Sequence, residues 1–515
     1  MKLVIPPRSL KAPEEPTLVP ASANILAWLP FLWRRVLFPG RAEMSSAATV
    51  GSVLLLVVVT GSIVLPSLGF HLFEPDEGRY AQIPHEMLDR GDWLVPTLQG
   101  EPYLDKPPLF YWLVMVAYAV FGVADWVARL VPAGAVLGCV LATYFLGRKS
   151  VGERSAFWGA LILSLAPGLA SMGRILVLDG LLTLFVTIAL LASFEAIRGT
   201  TLARGWWRVM SVALALGALT KGPIAVLLVI PPLLAHRWLT SQTTRIAWRD
   251  WFAAAGIIVA INAPWYVAIT LRHREFASYF LWKHNLQRFL TPFDHEQPIW
   301  YFLPVLLLGL APFVWLLPLL GRFLIANRPE ATRCRSPEMG FFLLAGLWCV
   351  GFFSLSGSKL PTYILPAFPP LCLALGTYVV ASGWHQSRRL RSFLALWTLV
   401  LFAVHTLALP RVAWQRSPMN HAAEARPYLE DRSTPIYCYP RPIDSVAFYL
   451  DRDDFHVYRS KELGAMLESM DKHSRSIILF AHRNSKLILT HNVPPHFRVV
   501  YVGKLGLCDM AVIER

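Results

Sequence analysis

The sequence predicts a polytopic α-helical membrane protein of about eleven spans, followed by a small C-terminal α/β domain. Three observations carry this. The 515 residues are 55% hydrophobic and only 16% charged, against a soluble norm of about 25% charged. Long uncharged apolar runs recur as far as about residue 409, each near the ~20 residues needed to cross the hydrocarbon. Past Pro410 the texture changes to short alternating runs separated by amphipathic stretches, the mark of a mixed domain.

Taken in order, residues 1–46 are Pro-rich, carry Arg34, Arg35 and Arg41, and lack a small-residue cleavage site after a short apolar core. They read as a cytoplasmic tail before a retained anchor. Spans are expected near 47–69, 128–147, 155–172, 176–197, 207–219, 222–239, 251–271, 298–320, 339–356, 360–382 and 392–409. With the N-terminus inside, every inner loop is basic: Arg148, Lys149 and Arg154; Arg198, Arg204 and Arg208; Arg237, Arg245 and Arg249; Arg322, Arg328, Arg333 and Arg335; Arg388, Arg389 and Arg391. The positive-inside rule asks for this. It also accounts for the net charge of +15, which in a soluble chain would suggest nucleic acid. Leu109–Gly122 is apolar but short, and a crossing there would turn every later basic loop outward. It is expected to be an interfacial or re-entrant helix.

The membrane domain is thus 47–409, with a first outer loop at 70–127, and residues 410–515 form an α/β domain on the outer side. Strands are expected at Ile436–Tyr439, His456–Tyr458, Ile477–Phe480 and Arg498–Val502, with helices near 444–450 and 461–470. Cys438 and Cys508 either pair in an oxidising periplasm or remain two buried thiols. Trp93, Trp112, Trp126, Trp265, Trp282 and Trp300 fall near the outer boundary, as an interfacial belt would.

The first outer loop, FEPDEGRYAQIPHEMLDRGDWLVPTLQGEPYLDKPP, is dense in charge. Charges held near lipid are costly and serve a purpose. Asp76, Glu77, Arg79, Asp105, Lys106, Arg174, Asp179, Lys221, His284, Arg288 and Lys359 all fall on the outer side by this topology. A non-enzymatic transporter or lipid flippase would place ionisable groups near the midplane, often in two related halves. No internal repeat is visible. The pattern suits an enzyme acting at the outer leaflet on something anchored there.

Six motifs occur in order: FEPDEGRYAQI, GEPYLDKPPLFYW, GRILVLDGLLTLF, ALTKGPIAVLL, WKHNLQRF with PIWYFLPVLLLGLAPF, and SGSKLPTYILP. Together they resemble the bacterial aminoarabinose transferases and the wider protein mannosyltransferase-like glycosyltransferases of the GT-C fold. FYLDRDDFHVYR in the tail extends the likeness weakly. The resemblance implies an inverting transferase that takes a sugar from a polyprenyl (undecaprenyl) phosphate carrier. It would sit in the inner (plasma) membrane of a bacterium, with its site and C-terminal domain facing the periplasm. The acceptor stays open between an envelope lipid such as lipid A or lipopolysaccharide, a polysaccharide, and a protein Ser or Thr.

Breaking a sugar–phosphate bond leaves negative charge on phosphate oxygens, so the site needs fixed cations. By resemblance Lys106, stiffened by Pro107-Pro108, contacts the donor phosphate, with Arg288 as a second candidate suited to bidentate phosphate recognition. Arg79, Lys221, Lys359 and Tyr363 complete the substrate-binding set. Asp76 is the expected central carboxylate: a base for a hydroxyl acceptor, an orienting group for a phosphate acceptor. Asp179 is the second catalytic candidate, sharing the acceptor or holding Arg79. Glu77, the third, is expected to pair with Arg79 or cap the following helix. No cofactor is required by these motifs. Some relatives carry Glu at the place of Asp105 and a His near His284, so those two residues are the candidate ligands for a divalent ion, zinc or magnesium.

Overall fold

The computed structural model describes residues 46–240, 244–290, 294–481, 488, 493–506 and 508–515. The chain forms two compact units, Met1–Ser52 and Val53–Arg515, and everything below concerns the second. Among the described residues six helices are long and apolar enough to cross a bilayer: Asp125–Val151, Asp179–Ile197, Trp248–Arg272, Pro337–Leu355, Pro361–Ala381 and Arg388–Arg416. Ile299–Gly309 and Phe313–Ile325, bent by 110° at a short break, make a seventh if taken as one span. The protein is polytopic.

Every expected span coincides with helix. The one expected at 155–172 is broken into Glu153–Ser164 and Pro167–Met172, since the proline has no amide to continue the ladder. Leu109–Phe121 is a 13-residue apolar helix, about 20 Å long at 1.5 Å per residue, short of a ~30 Å hydrocarbon core.

The charged segment after the first helix is built around the helix Asp76–Asp89, which follows a cis Glu74–Pro75 peptide. A two-stranded hairpin follows, β1 (Thr97–Leu98) and β2 (Glu101–Pro102). Gln99 and Gly100 at its tip both have positive φ, as a two-residue hairpin turn needs. Glu86 pins the tip: it accepts from the Gln99 and Gly100 amides at 2.8 and 3.2 Å and from Thr97 Oγ1 at 2.8 Å.

The C-terminal sheet has β3 (Ile436–Tyr439), β4 (His456–Val457), β5 (Arg475–Phe480), β6 (Arg498–Leu505) and β7 (Cys508–Glu514), in the order β4-β3-β5-β7-β6. β3 is parallel to β4 and β5, and β7 is antiparallel to β5 and β6. The four expected strands are present. β7 is an addition to them: CDMAVIE is apolar with no clean alternation, as befits a strand that is buried on both faces and central between β5 and β6. Cys438 and Cys508 are two buried free thiols rather than a bridge, on strands separated by β5. Burial pushes the Cys508 thiol up to about 12.

One helix of this segment, Asp444–Leu450, seats on the outer loop. Tyr449 Oη donates to Asp125 Oδ2 at 3.0 Å and accepts from the Leu72 amide at 2.9 Å. Phe448 stacks on Tyr118, ring centroids 6.4 Å apart. A Cβ on Gly78 would lie 2.5 Å from the Ser445 backbone nitrogen, so only glycine admits this close approach.

Candidate active site

Asp76 and Glu77 open the same helix turn and have opposite fates. The Asp76 side chain is 60% exposed, with Arg79 Nη1 3.8 Å from its Oδ1. Two acidic residues in a first helical turn suit the positive end of the helix dipole. Glu77 is fully buried. Arg129 grips it with Nε and Nη2 at 2.9 and 2.8 Å, and the Phe73 and Leu176 amides donate to it at 2.9 and 2.6 Å. Glu77 thus supports the loop, but its partner is Arg129 and not the expected Arg79. Arg129 Nη1 also ties down the Leu68 and Phe70 carbonyls at 2.7 and 2.5 Å. An arginine inside the apolar run WVARLVP was itself a signal that a buried acid must answer it.

Arg79 lies between two carboxylates. Besides Asp76, its Nε is 4.0 Å from Asp444 Oδ2 of the C-terminal segment, and its guanidinium lies over the Tyr103 ring at 5.7 Å. Asp444 is fully buried. Burial, with the charge of Glu74 adding to it, pushes its carboxyl up to about 7. Glu74 is raised by burial too, although the Ser445 amide donates to its Oε1 at 2.5 Å.

The GEPYLDKPP turn brings Asp105 and Lys106 next to this group. Tyr279 Oη donates to Asp105 Oδ1 at 2.6 Å, and Lys106 Nζ donates to the Asp105 carbonyl at 3.2 Å. Burial raises the Tyr103 hydroxyl above the usual phenol range, and the Asp105 charge adds to that.

A second cluster forms at two helix ends. Gly222, at φ +83°, and Pro223 stop the helix Arg204–Lys221 directly after its lysine, where a cation suits the dipole. Asp179 is the first residue of Asp179–Ile197, where an anion does. These neighbouring ends put Lys221 Nζ 2.5 Å from Asp179 Oδ1, and Nζ also lies 4.6 Å from the centre of the Tyr363 ring. Asp179 therefore holds Lys221, not Arg79 as expected. The buried Tyr80 hydroxyl is raised well above its usual range by burial first, then by the fields of Tyr103, Asp76 and Asp179.

Lys359 is buried, and its ammonium donates to the Gln297 carbonyl at 2.8 Å and to the Ser356 carbonyl. The side chains of His284 and Arg288 lie outside the described residues. Among the described residues, the group whose ligating atoms lie close enough to share one ion is His85, Asp89 and Asp451, without Asp105. Sequence reasoning missed Tyr80, Tyr103, Arg129, Tyr279 and Asp444. Tyr103 stands inside one of the six motifs; Tyr279 and Asp444 are placed by folding alone.

Comparison with known proteins follows the same lines. Residues 49–280 match the family model described as dolichyl-phosphate-mannose-protein mannosyltransferase. The chain is 34% identical over 342 residues to the undecaprenyl phosphate-alpha-4-amino-4-deoxy-L-arabinose arabinosyl transferase of Edwardsiella ictaluri, and 33% over 337 residues to that of Yersinia enterocolitica. These matches take in 64% of this chain and 59% of each relative. Its structure is similar to that of ArnT from Cupriavidus metallidurans bound to undecaprenyl phosphate: TM-score 0.70 and 21% identity, over 91% of this chain and 98% of that one. At that identity the likeness is one of fold. In sequence and in fold, then, the chain resembles the aminoarabinose transferases and the protein mannosyltransferase-like GT-C glycosyltransferases, as its six motifs indicate.

Proposed function

We propose that this protein is a membrane glycosyltransferase that moves a sugar from a polyprenyl phosphate carrier to an acceptor held at the membrane. The observations that support the reading are two charged clusters built from the motif residues: Arg79 lies 3.8 Å from Asp76, and Lys221 lies 2.5 Å from Asp179 and 4.6 Å from the centre of the Tyr363 ring. The names of the relatives support the donor class.

In this reading the anomeric carbon–oxygen bond to phosphate breaks as the acceptor oxygen attacks from the opposite face, inverting the centre. Lys106, Arg79 and Arg288 neutralise the departing polyprenyl phosphate. Lys221, oriented by Asp179 and the Tyr363 ring, supplies a further positive charge, and Lys359 another at the rim. Asp76, the exposed carboxylate, takes the proton of a hydroxyl acceptor or orients a phosphate acceptor. A divalent ion held by Asp105 and His284 would add charge to the same phosphate; no step depends on it. The acceptor of this proposal is an envelope lipid such as lipid A. The family model's description supports a second reading, a protein Ser or Thr acceptor.

The same proposal completes the topology. The short helices Ala48–Val64 and Ile224–Trp238, the broken Glu153–Met172 segment and Arg204–Lys221 cross along with the longer ones, giving about eleven spans. The N-terminal tail is then cytoplasmic, and the site and C-terminal α/β domain are periplasmic in a bacterial inner membrane.

The test feeds membranes a labelled polyprenyl-phosphate sugar. Label should leave the carrier with the unsubstituted chain and stay on it with Asp76→Ala or Lys106→Ala. Retention by all three would overturn the proposal. Mass spectrometry of lipid and protein fractions then separates the two acceptors.

A further inference from the structure

We propose that Asp444, in the C-terminal α/β segment, is a positioning residue for the site: its buried carboxylate anchors the Arg79 guanidinium that faces Asp76. The inference rests on the transferase reading above and adds a residue that none of the six motifs contains.

Asp444 is a fully buried carboxylate with neither oxygen in a hydrogen bond of normal geometry, its charge favoured by the Gln99 side chain and by Arg79, whose Nε is 4.0 Å away and also has none. A buried acid left in that state needs a reason. It cannot move to find a partner elsewhere. The next residue, Ser445, donates its amide to Glu74 Oε1 at 2.5 Å, and the same backbone lies against Gly78, where a Cβ would clash at 2.5 Å. The carboxylate is therefore fixed relative to the first turn of the helix Asp76–Asp89, and Arg79 is the arginine of that turn.

One guanidinium thus spans two carboxylates of unequal burial. The Asp76 side chain is 60% exposed, and the Asp444 side chain is wholly enclosed. Attraction to an enclosed charge is several times stronger than to one screened by water at like distance. Asp444 therefore decides where Arg79 points. Held there, Arg79 stays 3.8 Å from Asp76, beside the carboxylate but too far to lock it in a direct hydrogen bond. Without the Asp444 charge, Arg79 closes onto Asp76 and occupies the carboxylate that the reaction uses. The C-terminal segment then serves the chemistry as well as covering the loop.

The experiment compares the full-length chain with Asp444→Asn, which keeps shape and loses charge, and with Ser445→Ala as a neighbour control. Arginine modification by phenylglyoxal is read by mass spectrometry as the ratio of Arg79 to the exposed Arg459. Asp444→Asn should raise that ratio several-fold, and Ser445→Ala should leave it unchanged. With the labelled donor, Asp444→Asn should lower kcat about tenfold at unchanged KM. An Arg79 ratio that does not move in a folded Asp444→Asn protein overturns the proposal. If the unsubstituted chain consumes no donor, the transferase reading fails on its own, and the labelling still decides whether Asp444 anchors Arg79.

Should Asp444→Asn not fold, labelling of the unsubstituted chain against pH decides instead. The groups facing Asp444 are Arg79 and Glu86 of the outer helix, Glu74 before it and Gln99 of the hairpin, with Arg441 acting on Glu74. As pH rises from about 6 to about 8 the Asp444 charge develops and draws Arg79 inward, so its labelling relative to Arg459 should fall. A flat ratio sinks the proposal.

Discussion

Lys221 Nζ donates to Asp179 Oδ1 at 2.5 Å while lying 4.6 Å from the centre of the Tyr363 ring. Three residues from separate motifs meet there. A lysine held by one carboxylate and one aromatic face has a fixed direction, which is what a phosphate-facing cation needs. Asp179→Asn should lower donor consumption by about two orders of magnitude, with a smaller effect on donor affinity. An affinity loss as large as the rate loss would make Asp179 a binding group instead.

Glu77 and Arg129 form a buried ion pair, and removing one partner leaves the other charge uncompensated. Glu77→Gln should cost about 3–5 kcal/mol of stability, seen as a lower melting temperature in detergent. Glu77→Gln combined with Arg129→Met should recover part of that. A Glu77→Gln protein of ordinary stability that is nonetheless inactive would return Glu77 to the chemistry.

Gly78 faces the Ser445 backbone, which cannot rotate out of the way as a side chain would. Gly78→Ala should therefore destabilise by about 1–3 kcal/mol. Limited proteolysis should release the C-terminal sheet sooner than in the unsubstituted chain. Unchanged protection would mean that Asp444–Leu450 is not seated on the helix Asp76–Asp89.

Asp444 has its folded pKa raised to about 7 from an ordinary 3.8 by burial and by Glu74. The folded state holds its proton to higher pH than the unfolded chain does, so the stability this shift contributes is full below the ordinary value and is lost as pH rises through about 7, where the carboxylate charge develops. Glu74 is raised as well and adds in the same direction. The melting temperature should fall by a few degrees from about pH 5 to about pH 8, and Asp444→Asn should flatten part of that slope. A slope of the same size in Asp444→Asn would place the titration elsewhere.

Asp105 Oδ1 accepts from Tyr279 Oη at 2.6 Å, so one of its oxygens already has a strong partner. Dialysis against a chelator should leave the transfer rate within about twofold. A larger loss, restored by added zinc or magnesium, would assign Asp105 and His284 to an ion.

Much of the site was legible because its residues stand where a helix must start or stop. Asp76 opens a helix after a proline, Lys221 precedes Gly-Pro, and Lys106 precedes Pro-Pro. Local rules put such side chains at helix ends without any knowledge of packing. Pairing was not legible. Glu77 and Asp179 each stand within reach of several cations along the chain, and the choice of Arg129 for one and Lys221 for the other follows from which helices lie side by side.

Sequence alone determined the membrane class, the succession of helices and four of the five C-terminal strands. Those follow from composition and period, which are local and additive. Tertiary structure alone decided that Glu77 is a buried brace, that Asp179 meets Lys221, and that Asp444 reaches Arg79 from the far end of the chain. The reason is physical. The energy of a charge depends on what surrounds it in space, and burial and opposing charge at these positions arise only once distant segments have packed together.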